Sequence, residues 1–230
     1  MLTAALILSI RQEPSALDRA VADSNAALKA TPGVICAYKM TANGGEAKNL
    51  QAIFRFWRDG KNERVEFTFN GDTMLKRIAS KDRKIAVFPT QKAYWETDAS
   101  APDGEPGADE PIEENRLKFS FSQGMELDLK SNPSFRVLSD AIETRDGMEL
   151  RKITFEAVKA SGTGSVKGVA EFDAKKKYFI QAKLDIVGDN PSKMELIRET
   201  FELKAPEASV FSIDPKEYEG FQKVDPPGGN

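Results

Sequence analysis

Apolar and polar residues alternate with a period of two along most of this chain, and a helical period is confined to one stretch near its start. Leu17, Val21 and Leu28 fall on one face at helical spacing, which predicts a helix over Ser15–Ala30 with Ser15, after Pro14, as its N-cap. Thr31-Pro32-Gly33 ends it. From Val34 the period is two. Val34, Cys36, Tyr38 and Met40 alternate with Ile35, Ala37, Lys39 and Thr41, and Asn43-Gly44-Gly45 turns the chain back into a hairpin.

The next strands carry the clearest pattern. Leu50, Ala52, Phe54 and Phe56 share one face, and Gln51, Ile53, Arg55 and Trp57 the other. Asp59-Gly60 turns the chain; Val65, Phe67 and Phe69 then alternate with Arg64, Glu66 and Thr68, and Asn70-Gly71-Asp72 turns it again. Further strands are expected at Thr73–Ala79, Lys84–Phe88 and Ala93–Thr97, which makes a meander with one apolar and one polar face. Asp98–Pro111 is rich in Pro, Gly, Asp and Glu and reads as a mobile acidic loop. Ile112–Gly124 is expected to form a helix, either a lid over the sheet or a connector, although Phe119-Ser120-Phe121 alternates like a strand.

Strands return at Phe135–Leu138, Glu149–Val158, Lys167–Phe172, Tyr178–Val187 and Met194–Leu203. Tyr178, Ile180, Ala182, Leu184 and Ile186 form one long alternating face. Pro206 stops the last strand, and the tail 225–230 reads as disordered. The expected fold is α+β, mainly antiparallel β: one sheet of about eleven strands, with helices packed on one side. A sheet this wide should curl.

Composition narrows the function. The chain has no His, which removes Ser-His-Asp and Cys-His catalysis and His-ligated zinc. Its single Cys, Cys36, excludes an internal disulfide and reads as a buried, inert thiol. With 33 basic and 36 acidic residues, no net positive charge favours nucleic acid. Gly162-Thr163-Gly164-Ser165 precedes a strand and lacks the ending of a phosphate loop, so it reads as a hairpin loop. Asp72, Asp103, Glu105, Asp109 and Glu110 lack EF-hand spacing and read as solvated. No catalytic residue, metal site or cofactor is expected, and the chain is read as a binding protein and not an enzyme.

The informative feature is apolar surface. Phe54, Phe56, Val65, Phe67, Phe69, Ile180, Leu184 and Ile186 are too many to leave in water, and they are the candidate ligand-binding residues. Either helices fill the concavity completely, or they leave a lipid-sized cavity; the pattern of residues fits both. Leu2–Ile10 has the length of a signal-peptide h-region and is too short to span a bilayer. Residues 1–12 are therefore expected to be a signal peptide on an exported, periplasmic or otherwise extracytoplasmic protein, with 13–224 as a single domain.

The segments Ala52–Thr97, Ala170–Gly188 and Phe201–Pro215, with the helix ahead of the first strand, resemble the outer-membrane lipoprotein carrier superfamily, the LolA/LolB-like lipoprotein-sorting proteins. The resemblance runs from about Asp18 to Val224 and lies in the order of the strands, not in a strict motif. It implies an incomplete, half β-barrel closed by helices over its concave face, an apolar cavity, and carriage of acyl chains. It also implies a monomer whose partners are a lipid or acylated lipoprotein and a membrane-bound release or acceptor protein. In that family an Arg at the end of the second strand latches the lid, often before a Pro. Arg58 matches the Arg by position, and Asp59 stands where the Pro would be. The alternative is the same fold used as a regulatory module for a membrane-bound partner, as in RseB-like proteins.

Overall fold

The structure is a computed structural model that describes residues 15–44, 49–99, 117–120, 124–127, 135–158, 164–188 and 191–226, with backbone only at 117–120 and 124–127. The expected signal peptide, the acidic loop beyond Ala99 and all but two residues of the expected disordered tail lie outside the described residues.

Helix α1 spans Ala16–Ala30. Ser15 caps it through a reciprocal pair: its Oγ accepts from the Asp18 amide at 3.1 Å, and the Asp18 carboxylate accepts from the Ser15 amide at 2.9 Å. Leu17, Ala20 and Ser24 face inward. At the other end the Thr31 hydroxyl donates to the Ala27 carbonyl at 2.9 Å, ahead of Pro32.

The strands are β1 (Gly33–Asn43), β2 (Leu50–Asp59), β3 (Asn62–Phe69), β4 (Asp72–Ala79), β5 (Arg83–Phe88), β6 (Ala93–Asp98), β7 (Leu117–Ser120), β8 (Gly124–Leu127), β9 (Arg136–Arg145), β10 (Met148–Val158), β11 (Gly164–Asp173), β12 (Phe179–Gly188), β13 (Ser192–Glu202) and β14 (Gln222–Lys223). Twelve of them form one open sheet in the order β14-β6-β5-β4-β3-β2-β1-β13-β12-β11-β10-β9, and β7 pairs with β8 alone. Two antiparallel meanders, β1 to β6 and β9 to β13, are joined where β1 pairs with β13. β14 is parallel to β6. Asn70-Gly71 and Asp146-Gly147 hold positive φ at both turn residues, the geometry that matches the twist of a tight hairpin.

All eleven expected strands are present, and three expectations need correction. Among the described residues the main sheet has twelve strands, because Gln222–Lys223 adds β14. The helix expected over Ile112–Gly124 contains strand β7 at Leu117–Ser120, in agreement with its Phe119-Ser120-Phe121 alternation; among the described residues, α1 is the one α-helix. Finally, β9 runs to Arg145, well past Leu138, because the polar stretch Ala141–Arg145 finds its hydrogen bonds in the ladder to β10.

Strand register divides the sheet into two faces. On the helix face, α1 seats Leu17 and Ala20 among Ile153, Phe155, Ala170, Phe172, Phe179, Ala182, Leu184 and Leu196, with Tyr38 and Met40 at the margin. Burial of such side chains stabilises by roughly 1.5–3 kcal/mol each before entropy is counted. The Ser24 hydroxyl accepts from the Phe179 amide at 3.0 Å, which fixes the helix on β12.

The opposite face of β4–β6 is apolar as well. Ile78, Ile85 and Val87 pack there with Ile213, Tyr94, Tyr218 and Phe221. The covering residues belong to a strap after β13 made of two short 3-10 turns, Ala208–Phe211 and Pro215–Tyr218, followed by β14. The strap starts where the Ala205 backbone lies against Gly33, so close that a β-carbon there would sit 2.6 Å from the Ala205 nitrogen. Arg64 Nη1 donates to the carbonyls of Val210 at 2.7 Å and Ser212 at 3.0 Å, and Lys76 pairs with Glu217. The remaining opposite face, in the second meander, carries ion pairs such as Lys183–Glu195 at 3.2 Å and faces water.

Candidate functional site

Strand pairing brings the aromatic residues of the first meander together. Tyr38, Phe54, Phe67 and Leu75 lie opposite one another in successive strands, as do Cys36, Phe56, Val65, Arg77, Ala86 and Trp95. Ala52 opposes Phe69. Because Tyr38 also borders the core under α1, this strip and the helix share one face.

The rings of Phe54 and Phe67 stack with centroids 4.7 Å apart, and Phe69 tilts against Phe67 at 6.5 Å. Val65 is buried, whereas Phe54, Phe56, Phe67 and Phe69 are each only partly covered. Further along, Leu75, Ala86 and Trp95 form a buried cluster flanked by Phe67 and Phe88.

The other three candidates are placed elsewhere. Leu184 lies in the packed core beneath α1. Ile186 opposes Val166 at the far end of β12. Ile180 falls at a register shift: Glu171 pairs with Gln181 but Phe172 pairs with Phe179, so the even alternation from Tyr178 breaks there and Phe179 takes the core position. Sequence reading did not single out Tyr38 or Trp95. The adjacent aromatics Tyr94 and Trp95 leave the facing of β6 undecided by periodicity.

Arg58 ends β2 on the same face and is buried. Its Nη2 donates to the Leu28 carbonyl in the last turn of α1. Its Nη1 is 3.9 Å from Glu63, and its guanidinium lies over the Phe56 ring at 5.4 Å. Position at the strand end, which suggested this residue, thus also delivers it to a helix terminus, where a cation complements the dipole.

Burial sets the electrostatics nearby. The Cys36 thiol is pushed up to about 12 by desolvation, against the opposing pull of Arg198 and Arg58. Burial likewise raises the Tyr38 phenol above its ordinary value. Both groups stay neutral at physiological pH, so Cys36 offers no thiolate nucleophile. Among the described residues, no three of Cys, Asp and Glu are grouped to hold a metal ion.

No protein-family model and no curated protein matches the chain. Among solved structures, the Mycobacterium tuberculosis lipoprotein LppX matches over 82% of this chain and 96% of its own, at 10% identity and a TM-score of 0.38. An uncharacterized conserved protein from Thermus thermophilus matches over 91% and 99%, at 7% identity and a TM-score of 0.42. A LolA superfamily protein from Nitrosomonas europaea matches over 86% and 97%, at 7% identity and a TM-score of 0.34.

Proposed function

We propose that this protein is a cell-envelope carrier or sensor that reversibly binds the acyl chain of a lipid or lipoprotein on the helix face of the first meander. The observation that carries the reading is the strip Phe54–Phe67–Phe69 with Phe56. It is aromatic, aligned by strand register, only partly covered, and adjacent to a helix fastened by Arg58. An acyl chain laid along it loses water at about 0.8 kcal/mol per methylene, so a short run of methylenes outweighs a single polar contact. Ile180, Leu184 and Ile186 belong to this reading only if α1 moves, since Leu184 packs under it. Arg58 then acts as the latch that holds α1 against the sheet.

The reading includes export and a membrane-bound acceptor; among the described residues no helix is long and apolar enough to cross a membrane. The test is native mass spectrometry of the purified chain with extraction of bound lipid, joined to titration with a fluorescent fatty-acyl probe. A co-purifying acyl ligand and saturable probe uptake support carriage. A chain that takes up no probe and leaves cells with a stable protein partner favours the regulatory module.

A further inference from the structure

Trp95 is 5% exposed, and its indole Nε1–H is fully buried with no hydrogen-bond acceptor. On the helix face it packs with Leu75, Ala86, Phe67 and Phe88, which carry no side-chain oxygen or nitrogen, and the cation Arg77 stands two strands away in its cross-strand row, beyond Ala86. Buried indole N–H groups ordinarily find an acceptor, because an unmet donor in an apolar setting carries the full cost of its lost hydration. The buried Arg58 Nε also lacks an acceptor, yet that guanidinium bonds Leu28 through Nη2 and lies over Phe56.

The position of this donor matters. Trp95 stands in the same cross-strand row as Phe56 and Val65, and its cluster reaches Phe67, which stacks on Phe54. A chain lying along the aromatic strip therefore runs toward Trp95. The partly covered rings of Phe67 and Phe88 pack against its cluster.

We propose that Trp95 is a specificity-determining residue that donates a hydrogen bond to an acyl carbonyl oxygen of the bound molecule, so that the site selects acyl chains over alkyl chains of equal length. This rests on the lipid-binding reading above. The acceptor is a carbonyl because that is the oxygen carried at the head of an acyl chain whose methylenes lie on the aromatic strip. The ester of a lipid, the amide of an acylated protein and a protonated fatty acid all present it.

The experiment compares palmitoyl lysophosphatidylcholine with its hexadecyl ether analogue by calorimetry below their micelle concentrations. The two differ in the carbonyl alone. One neutral hydrogen bond predicts about three- to tenfold tighter binding of the ester by the wild type. Trp95→Phe should bind both equally, at the ether's affinity, with an unchanged far-UV spectrum. A palmitoyl glycine titration, which carries an amide, should show the same loss in Trp95→Phe if the carbonyl alone is read, and none if only esters are.

A second measurement needs no substitution. In isotope-labelled wild type, the Trp95 indole proton should move downfield with the ester and not with the ether, while that of Trp57 on the opposite face stays put. Equal binding of ester and ether by the wild type overturns the inference and leaves the carrier reading standing. So does discrimination that survives in Trp95→Phe. Binding of neither lipid overturns both.

Discussion

The guanidinium of Arg58, at the end of β2, donates to the carbonyl of Leu28 in the last turn of α1. The Leu28 carbonyl also accepts from the Thr31 amide at 3.2 Å, so the helix terminus is held by its own chain and by the sheet. Arg58→Met keeps much of the aliphatic stem and removes the donor. It should cost about 1.5–3 kcal/mol of stability, the range for a hydrogen bond to a charged group. Amides in the last turn of α1 should exchange faster, while those of the β2–β3 ladder should not. Uniform acceleration across both would mean that Arg58 supports the fold generally and latches nothing.

Phe56→Glu places a carboxylate beside Val65 and Cys36 on the helix face. Uptake of a fluorescent acyl probe should be lost, since a carboxylate holds water on the acyl path even with the Arg58 guanidinium close by. Arg55→Glu, on the opposite face between Ala37 and Glu66, should leave uptake within about twofold of wild type. Both variants are compared only where the far-UV spectrum is native. Equal loss in the two would argue against a face-specific site.

The ring of Phe155 lies over Gly168, its partner in the β10–β11 ladder. A β-carbon at Gly168 would collide with that ring and with Leu184 Cδ2 at 2.8 Å. Gly168→Ala should lower stability by about 1–3 kcal/mol through overpacking, read as a drop in urea midpoint. Adding Phe155→Leu should recover part of the loss, because the smaller side chain gives the methyl room. Strictly additive losses would show that the two positions do not compete for space.

Glu171 is buried on the face opposite α1, where it accepts from Arg145 at 2.6 Å and Gln181 at 2.7 Å. Burial acts to raise its carboxyl, and the two hydrogen bonds together with the charges of Arg145 and Lys152 outweigh it and hold the group below the usual carboxylate range. A carboxyl depressed on folding adds stability that is complete above the unfolded-state value of about 4.3 and is lost as pH falls through the folded value. Glu171→Gln should therefore be less stable than wild type at about pH 7, and the gap should close toward about pH 3. Denaturation curves at both ends decide it: a gap of constant size would mean that the Glu171 charge contributes nothing.

Much of the sheet was legible because its information is local. Alternation placed Phe54 and Phe56 on one face and Arg55 on the other, and Asn70-Gly71 marked a hairpin that the backbone adopts with positive φ at both residues. Where reading failed, a longer-range term intervened. Ala141–Arg145 looks too polar for a strand, yet β10 supplies a ladder for it. Ile180 fits the alternation of its neighbours, but the register shift beside Phe179 displaces it. Ile213, Tyr218 and Phe221 show no period of two, so nothing nearby announced the strap.

Where alternation runs unbroken, local pattern was enough to say which side chains share a face, since a strand's side-chain period is two and tight turns set the register of each hairpin. Tertiary structure alone decided what covers each face. Ser24 meets the Phe179 amide across 155 residues, and Arg64 meets the Val210 carbonyl across 146. α1 therefore takes the half of the helix face formed by the second meander, the strap takes the opposite face of β4–β6, and the Phe54–Phe67 strip is left only partly covered. Contacts at such separations depend on chain closure and on competition among several apolar surfaces of similar hydrophobicity, and no local pattern encodes which of them wins.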